Sequence, residues 1–227
     1  MDFKTKEIQQ QYQGFVNTHF LWKSSFYGLK QIQLAVVNDH AFEAELTKNT
    51  RLGKRVESFV SCYLQQIEEI SIVQENIQIQ KEQITIGELD CILNQEQIPI
   101  HLEIVYKFYL YDTSVGATEI EHWIGPNRND SLVQKIEKLS TKQLPLLYRE
   151  ETKSYVNVDI QQVQQKVFFK AQLFVPYANQ EIVFEQLNSD CVCGFYIYQH
   201  ELDEFSDCKF YIPTELNWLL EPHTQAH

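Results

Sequence analysis

The sequence predicts an α/β (α+β) layered domain, with a central mixed sheet of about four or more strands flanked by helices. Three observations lead to this fold class. An amphipathic helical stripe begins near residue 50, several β-like runs follow between residues 70 and 111, and a second helical stripe then precedes two further apolar runs. Helix, strands, helix and strand in this order are typical of helices that cover one sheet.

Length and composition are those of an ordinary globular chain. Of the 227 residues, 44% are hydrophobic and 22% are charged. This length is sufficient for one domain, or for one domain with an appendage. The N-terminal stretch MDFKTKEIQQQYQ lacks the apolar centre of a secretory signal. No run approaches the roughly 18–20 apolar residues of a membrane span. We therefore expect a cytoplasmic protein that does not associate with membranes.

The first part of the chain is predicted to be helical. KTKEIQQQYQGFVN and a segment around Tyr27–Glu45 carry scattered apolar positions at helical spacing. Residues 1–49 are therefore interpreted as a helical extension packed on the core. Residues 50–227 are interpreted as the α/β core with a C-terminal β-rich extension, the whole forming one compact domain.

The segment TRLGKRVESFVSCYLQQIEE predicts the first core helix. Its apolar residues recur at steps of three and four: Leu52, Val56, Phe59, Val60, Tyr63, Leu64 and Ile67. Thr50 is a plausible N-cap. Glu57 lies at the edge of the buried stripe, where an acid is either a solvated flank or part of a site.

Residues 70–111 predict strands. SIVQ, NIQIQ, ITIGELDCIL and IPIHLEIVYKFYLY are short apolar runs, and the polar stretches KEQ and NQEQ are turn-like. The last two runs are apolar on both faces, which is typical of central strands covered on each side. Charges within them are therefore unfavourable unless they are paired, hydrogen-bonded or bound to metal.

A second helix and two more strands complete the pattern. Gly125-Pro126-Asn127 marks a turn, and Asn129 or Asp130 is expected to cap the helix. The apolar face of this helix consists of Leu132, Val133, Ile136 and Leu139, and Pro145 limits its extent. VFFKAQLFVPY and CVCGFYIYQ predict the remaining strands.

The ionisable residues of the central hairpin form a candidate site. Alternation places His101, Glu103 and Lys107 on one face of their strand, and Glu88 and Asp90 on one face of the preceding strand. In an antiparallel hairpin Asp90 then lies opposite the 103 region, with cross-strand partners roughly 5 Å apart. Two carboxylates that close repel each other unless a cation lies between them. Mg²⁺ prefers oxygen ligands and keeps several waters, so Asp90 and Glu103 are candidate metal ligands.

Two interpretations of Lys107 stay open from spacing alone. It either orients a water and neutralises charge on a phosphorane, or it forms a structural ion pair with Asp90 or Glu103. His101 is either a metal ligand or a hydrogen-bonded core residue. Glu88 is either a further ligand or a solvent-facing acid.

The pattern of an acid on an early helix, an Asp on one strand and a Glu followed by a Lys on the next resembles the PD-(D/E)XK nuclease superfamily. RLGKRVESF, GELDCIL, HLEIVYKFYL, WIGPNRNDSL and QLPLL are more specifically similar to an uncharacterised bacterial family placed within it. The resemblance runs from about Thr50 to Leu147 and continues more weakly to the C-terminus. It implies a restriction-endonuclease-like core of one helix, a three-strand meander, a second helix and a fourth strand.

The resemblance also implies residue roles. Asp90 and Glu103 match the metal ligands, Glu57 the helix acid, Lys107 or a neighbour the catalytic lysine, and Gln143 a polar residue that some members bring to the site. The superfamily places the lysine two residues after the acid, where this chain has Val105. Lys107 is four residues on, about 13 Å along an ideal strand instead of about 7 Å. Leu89 stands where the superfamily has a proline.

Charge and cysteine content limit the function classes. The chain has 19 basic and 31 acidic residues, a net charge of −12 that opposes broad, non-specific affinity for nucleic acid. The segment Arg128–Arg149 is a local basic patch, either a nucleic-acid contact or a solvated helix face. The five cysteines lack the spacing of a disulfide framework or of a zinc site and are expected to be reduced structural thiols.

The function expected from these observations is that of a Mg²⁺- or Mn²⁺-dependent nuclease-like phosphodiesterase acting on nucleic acid. Glu57, Asp90, Glu103 and Lys107 are the candidate catalytic residues, with Glu88, His101 and Gln143 as possible additions. The alternative is a catalytically inactive module of the same fold that binds a protein or nucleic-acid partner.

Overall fold

A computed structural model describes residues 3–35, 41–43 and 51–220. The helices are α1 (Phe3–Asn17), α2 (Leu52–Gln65) and α3 (Leu132–Lys138). The strands are β1 (Ser25–Phe26), β2 (Leu29–Lys30), β3 (Ile70–Lys81), β4 (Ile84–Gln95), β5 (Ile98–Tyr111), β6 (Trp123–Ile124), β7 (Gln164–Pro176) and β8 (Val192–Tyr196). None of the described helices is both long and apolar enough to cross a membrane.

Six strands form the central mixed sheet. Its order is β3-β4-β5-β7-β8, with the short β6 paired to β5. β3, β4 and β5 are an antiparallel meander, whereas β5, β7 and β8 run parallel to one another. The predicted central mixed sheet flanked by helices is confirmed, and the order helix, meander, helix, strand is the order of α2, β3–β5, α3 and β7.

The two tight turns of the meander use glutamate and glutamine in the left-handed region. Glu82 and Gln83 have φ of 48° and 69°, and Glu96 and Gln97 have φ of 52° and 69°. Two consecutive residues with positive φ are typical of a type I′ turn, whose backbone twist matches that of the flanking strands. The turns lie at the polar stretches KEQ and NQEQ. Neither turn has at its two central positions the glycine or asparagine that usually marks a type I′ turn.

Helices cover both faces of the sheet. The stripe of α2 is buried as predicted, and Val56, Phe59, Val60 and Leu64 are each at most 2% exposed. They pack with Cys91, Leu102 and Phe168 of the sheet and with α1. On the opposite face, Leu132 and Ile136 of α3 pack against β5 and β7. β5 is therefore covered from both sides, as its continuous apolar sequence predicts.

The N-terminal region is only partly helical. α1 forms over the predicted KTKEIQQQYQGFVN segment, but the helix expected around Tyr27–Glu45 is wrong for its first part, where β1 and β2 form a hairpin. Tyr27 and Gly28 both have positive φ, 48° and 79°, which closes a tight turn and stops a helix. Residues 36–40 and 44–50, including the proposed N-cap Thr50, lie outside the described residues.

The start of α3 differs from the prediction by one or two residues. Ser131 is the N-cap, and its Oγ accepts a hydrogen bond from the backbone N–H of Gln134 at 3.3 Å. Asp130 does not cap the helix because its carboxylate accepts from Lys107 of β5 at 2.6 Å. After α3 the chain continues through a π-helical turn at Leu139–Gln143 and a 3₁₀ turn at Leu144–Tyr148 that contains Pro145.

Candidate active site

Asp90 lies where β4 separates from β5. The antiparallel register of the two strands ends at the pair Cys91–Leu102. Beyond it, the Oδ2 atom of Asp90 accepts the backbone N–H of Ile104 at 2.8 Å. A side-chain carboxylate thus replaces a backbone acceptor in the ladder, which fixes Asp90 against the middle of β5.

The alternation of side chains along β4 breaks at Asp90. Leu89 and Ile92 are three residues apart, yet they belong to the same apolar cluster. Asn76 lies across from this point on β3 and has a φ of 53°, in the left-handed region, although the residue pairs on either side of it keep the same register. Strict alternation placed Glu88 and Asp90 together, but Glu88 instead contacts Lys54 of α2 at 2.9 Å. Glu88 and Asp90 are therefore held by different partners, the ammonium group of Lys54 and the backbone N–H of Ile104.

Glu103 is fully buried at the centre of β5. Its Oε1 atom lies 3.0 Å from Nε2 of His101, and its Oε2 atom accepts from Nε2 of Gln143. The carboxyl group of Asp90 lies next to it, and each carboxyl group shifts the pKa of the other. The two carboxyl groups therefore meet, and His101 lies on the same side of β5 as alternation predicts.

The tautomer of His101 follows from its neighbours. Nε2 of Gln165 donates to the carbonyl oxygen of Leu144 at 2.5 Å, which identifies this Gln165 atom as the amide nitrogen. The same nitrogen lies 3.1 Å from Nδ1 of His101. Nδ1 is then an acceptor, and Nε2 carries the hydrogen that points to Glu103. Burial lowers the pKa of His101 to about 4, so the ring is neutral. His101 holds Glu103 in place as a hydrogen-bond donor.

The two carboxyl groups retain a proton close to neutrality. Burial, together with the charge of Glu103, raises the pKa of Asp90 to about 7. Burial also raises the pKa of Glu103 to about 7, while the charge of Lys135 and the hydrogen bonds from Asp90 and Gln143 act in the opposite direction. Two adjacent buried carboxylates titrate as a pair, because ionising the second brings like charges together.

Lys135 and Gln143 link α3 to the carboxyl pair. Nζ of Lys135 donates to Oε1 of Gln143 at 2.8 Å, and the amide of Gln143 in turn donates to Glu103. Burial lowers the pKa of Lys135 to about 8, although the charges of Glu103 and Asp90 favour its protonated form. The π-helical turn at 139–143 follows α3 directly and carries Gln143 at its end. Such turns often occur at functional sites.

Lys107 does not contact the carboxyl pair. Its Nζ atom donates to Asp130 at 2.6 Å, so neither of the ion pairs considered with Asp90 and Glu103 forms. β5 pairs with β7 without a bulge from Glu103 to Lys107, so the extra two residues of spacing remain. Lys107 is held about 13 Å along the strand from Glu103, as an ideal strand predicts.

Glu57 lies near the carboxyl pair without bonding to it. Its carboxylate accepts from Lys54 at 2.7 Å. Burial raises the pKa of Glu57, and the negative charges of Asp90 and Glu88 contribute in the same direction. Glu57 therefore adds negative charge next to Asp90, and Lys54 balances it.

A groove of about 700 Å³ runs beside these residues. Its walls are formed by the first turn of α2 and by residues 126–135. The stretch Ile104–Phe108 of β5 and the side chain of Trp218 also line it. Glu57, Lys107 and Lys135 face this groove. Asp90 is the more accessible member of the carboxyl pair, being half-buried where Glu103 is fully buried.

A family model described as a domain of unknown function, DUF1853, matches residues 10–227. The chain belongs to the DUF1853 family. No curated protein and no solved structure matches the chain. The family match covers α2, the whole sheet and α3, and therefore every residue of the candidate site in this DUF1853 chain.

The basic segment Arg128–Arg149 of the DUF1853 chain is not one continuous surface. Arg128 binds Asp112 at 2.9 Å, and Lys135 turns inward to Gln143. Lys138 and Lys142 stay exposed on the outer side of α3 and its continuation. The inward lysine is the residue that sequence reasoning missed, because its contact with Gln143 spans eight residues across a π-helical turn that apolar spacing does not reveal.

The potential metal ligands of the DUF1853 chain are few. Among residues 3–35, 41–43 and 51–220, no group of three or more His, Cys, Asp or Glu side chains converges to hold a metal ion. The convergent carboxyl groups are those of Asp90 and Glu103. All five cysteines are free thiols; Cys62, Cys91 and Cys191 are buried, whereas Cys193 and Cys208 are exposed.

Proposed function

We propose that the chain is a Mg²⁺- or Mn²⁺-dependent phosphodiesterase of the PD-(D/E)XK type that acts on nucleic acid. The observation that carries the proposal is the buried carboxyl pair Asp90–Glu103, joined through Gln143 to the ammonium group of Lys135. The order of α2, β3–β5, α3 and β7 supports it as well, since the resemblance implies that order.

The donor set at the pair fits a small divalent ion. Mg²⁺ is commonly bound by one or two carboxylates and keeps waters in its remaining positions, so a third protein ligand is not required. Asp90 and Glu103 would hold the ion, whose two positive charges remove the need for the shared proton. A bound ion of this kind polarises a phosphoryl oxygen and lowers the pKa of a coordinated water.

The surrounding side chains have distinct roles in this proposal. His101 and Gln143 donate to Glu103 and fix the direction of its oxygens, as partners behind a metal ligand commonly do. Lys135, which is largely protonated at neutral pH, supplies the positive charge beside the phosphoryl group and takes the place expected for Lys107. Glu57 is the acid of the helix and acts on Asp90 through its charge.

A second candidate function is a non-catalytic module that binds a partner. It is favoured by one observation: both oxygens of Glu103 already accept hydrogen bonds from protein donors, and its side chain is fully buried. A carboxylate satisfied in this way stabilises the sheet without a metal. The net charge of −12 also suits a protein partner better than a nucleic acid.

Calorimetric titration with Mn²⁺ separates the two functions. The wild-type protein is expected to bind the ion and Asp90→Ala is expected not to, because one of the two carboxylates is gone. Glu150→Ala is the matched control, since Glu150 is an exposed acid that pairs only with Lys153 at 2.6 Å. Cleavage of single-stranded, duplex and branched nucleic acids is then assayed with the same three proteins. Absence of Mn²⁺ binding by the wild type would contradict the enzyme and favour the module.

A further inference from the structure

The groove beside the carboxyl pair is small. Its volume of about 700 Å³ lies within the range of about 300–1,000 Å³ that is usual for sites enclosing one small molecule. The walls are fixed elements, because α2 packs on one face of the sheet and the residues before α3 are tied to β5 through the Lys107–Asp130 pair. A groove of this size accepts a few nucleotides and not the width of a duplex.

The charges that line the groove are largely compensated. Lys107 is paired with Asp130, and Glu57 with Lys54. Glu215 adds a negative charge. Within the described part of the chain, Lys135 forms no ion pair and is bonded to the neutral amide of Gln143. One ammonium group outside an ion pair matches one phosphate, whereas a duplex-binding protein typically neutralises several.

Aromatic residues supply the remaining lining. Trp218 is 39% exposed, and the rings of Phe108 and Phe174 hold its indole with centroids 5.5 Å and 5.8 Å away. Tyr106 and Phe108 line the groove as well. Nucleic-acid bases stack on such rings whatever their sequence, provided that they are not already stacked inside a duplex.

We infer that the groove binds a short single-stranded segment of nucleic acid, with a base against Trp218 and a phosphate beside Lys135. The inference rests on the proposed function, because it takes the carboxyl pair as the place of cleavage. The preference for a single strand follows from three features together: the small volume, the ammonium group of Lys135 outside an ion pair, and the exposed indole. A duplex satisfies none of them, since its bases face inward and its phosphates require a wider basic surface.

Binding is measured by fluorescence anisotropy in the presence of a chelator. The probes are labelled oligo-dT and oligo-rU of about twelve residues and a DNA duplex of the same length. We expect at least one of the single strands to bind about tenfold more tightly than the duplex, and the difference between the DNA and RNA strands identifies the preferred sugar. Trp218→Ala should weaken that binding by roughly 5- to 150-fold, the range measured for loss of one stacked base.

Two further variants keep the result interpretable. Trp218→Phe retains an aromatic face and should keep most of the affinity even if Trp218→Ala unfolds. Tyr148→Ala is the matched control, because Tyr148 is an exposed aromatic that lines neither the groove nor the second cavity that Trp218 borders. Trp22 and Trp123 are at most 3% exposed, so quenching of intrinsic fluorescence by the single strand reports on Trp218 and should vanish in Trp218→Phe.

The inference and the proposed function fail in different ways. Equal or tighter binding of the duplex, or wild-type affinity in both Trp218 variants, overturns the inference. Trp218-dependent binding of a single strand without cleavage at any Mg²⁺ or Mn²⁺ concentration keeps the groove as a binding site and overturns the enzyme. Cleavage of the duplex alone, unaffected by Trp218→Ala, keeps the enzyme and overturns the inference.

Discussion

Two regions of one sheet bury ionisable groups in opposite ways. Lys170 of β7 is 5% exposed, and its Nζ atom donates to the carbonyl oxygens of Phe15 and Val16 at 3.0 Å and 2.8 Å. These carbonyls belong to the last turn of α1, where the helix dipole favours a positive charge. The rings of Phe15 and Phe20 lie 4.9 Å and 5.4 Å from the ammonium group.

The carboxyl pair lacks such a self-contained arrangement. Asp90 and Glu103 have each other as neighbours, and like charges at this distance oppose ionisation of the pair. Only a retained proton, the ammonium of Lys135 or an added cation offsets that repulsion. Ile104, whose backbone N–H binds Asp90, lines a groove, whereas Lys170 is enclosed by α1 and by aromatic rings.

Lys170 is thus an architectural charge, whereas the proposed function makes the carboxyl pair a chemical one. Two fixed backbone carbonyls accept hydrogen bonds from Lys170, so its burial joins α1 to the sheet and requires no ligand. Titratable neighbours satisfy Asp90 and Glu103 incompletely, which is the arrangement that accompanies metal binding and catalysis more often than structural support. Four substitutions test whether this contrast holds.

The largest effect is expected for Lys135→Met in a cleavage assay. Loss of a preorganised positive group beside the reacting phosphate should lower kcat by roughly 10²- to 10³-fold. Lys138→Met is the control, because Lys138 is exposed one turn further along α3. Lys107→Met should have a smaller effect, since Lys107 is engaged with Asp130. Equal losses in Lys135→Met and Lys138→Met would remove Lys135 from the site.

His101→Leu should weaken Mn²⁺ binding by roughly 10- to 100-fold, as removal of a hydrogen-bond partner behind a metal ligand commonly does. The physical reason is that Glu103 loses the donor that fixes Oε1. His101→Gln keeps a donor and should recover part of the affinity, which a merely structural role would not explain. Calorimetric titration measures the Mn²⁺ affinity of both variants. Wild-type affinity in His101→Leu would make His101 a packing residue only.

The sequence predicted the part of this site that depends on local alternation. Asp90 and Glu103 were identified because an acid among apolar strand residues is unfavourable without a partner, and the meander was identified from its polar turns. The position of Lys135 depends on a π-helical turn and on packing of α3 against β5, neither of which leaves a local pattern. The contact of Glu88 with Lys54 of α2 is likewise non-local, and strand alternation alone does not predict it.

The same reasoning explains the errors in the fold. Tyr27-Gly28 reverses the chain through two positive φ values, and a tyrosine at such a position is not a turn signal. Asp130 and Ser131 are both acceptable caps by residue type, and the choice depends on Lys107, which is 23 residues earlier and reaches Asp130 only in the folded sheet. Local backbone geometry decided the first case, and a non-local contact decided the second.

Asp90→Asn should stabilise the metal-free protein, and more so at high pH. The pKa of Asp90 rises from its ordinary 3.8 to about 7 on folding, so the folded protein binds the proton more tightly and loses stability as pH rises between these values. Asparagine keeps an acceptor for Ile104 and carries no charge. We expect a gain of about 1–3 kcal/mol in the free energy of unfolding near pH 8 and little gain near pH 4.

Urea denaturation in a chelator at both pH values measures the gain, with Asp159→Asn as the control, because Asp159 is an exposed acid that caps a short 3₁₀ turn. A gain that is the same at both pH values would mean that the charge of Asp90 is not the destabilising feature.

The smallest effect is expected for the architectural charge. Burial lowers the pKa of Lys170 from its ordinary 10.5 to about 7, so above that pH the unfolded chain binds more protons and the folded state gains stability as pH rises towards 10.5. Relative to Lys170→Met, the free energy of unfolding of the wild type should therefore increase by roughly 1–2 kcal/mol between about pH 7 and 9. Lys170→Met should leave Mn²⁺ affinity unchanged, because Lys170 contacts α1 and not the carboxyl pair. A change in Mn²⁺ affinity in this variant would show that the two regions are coupled and would break the distinction between them.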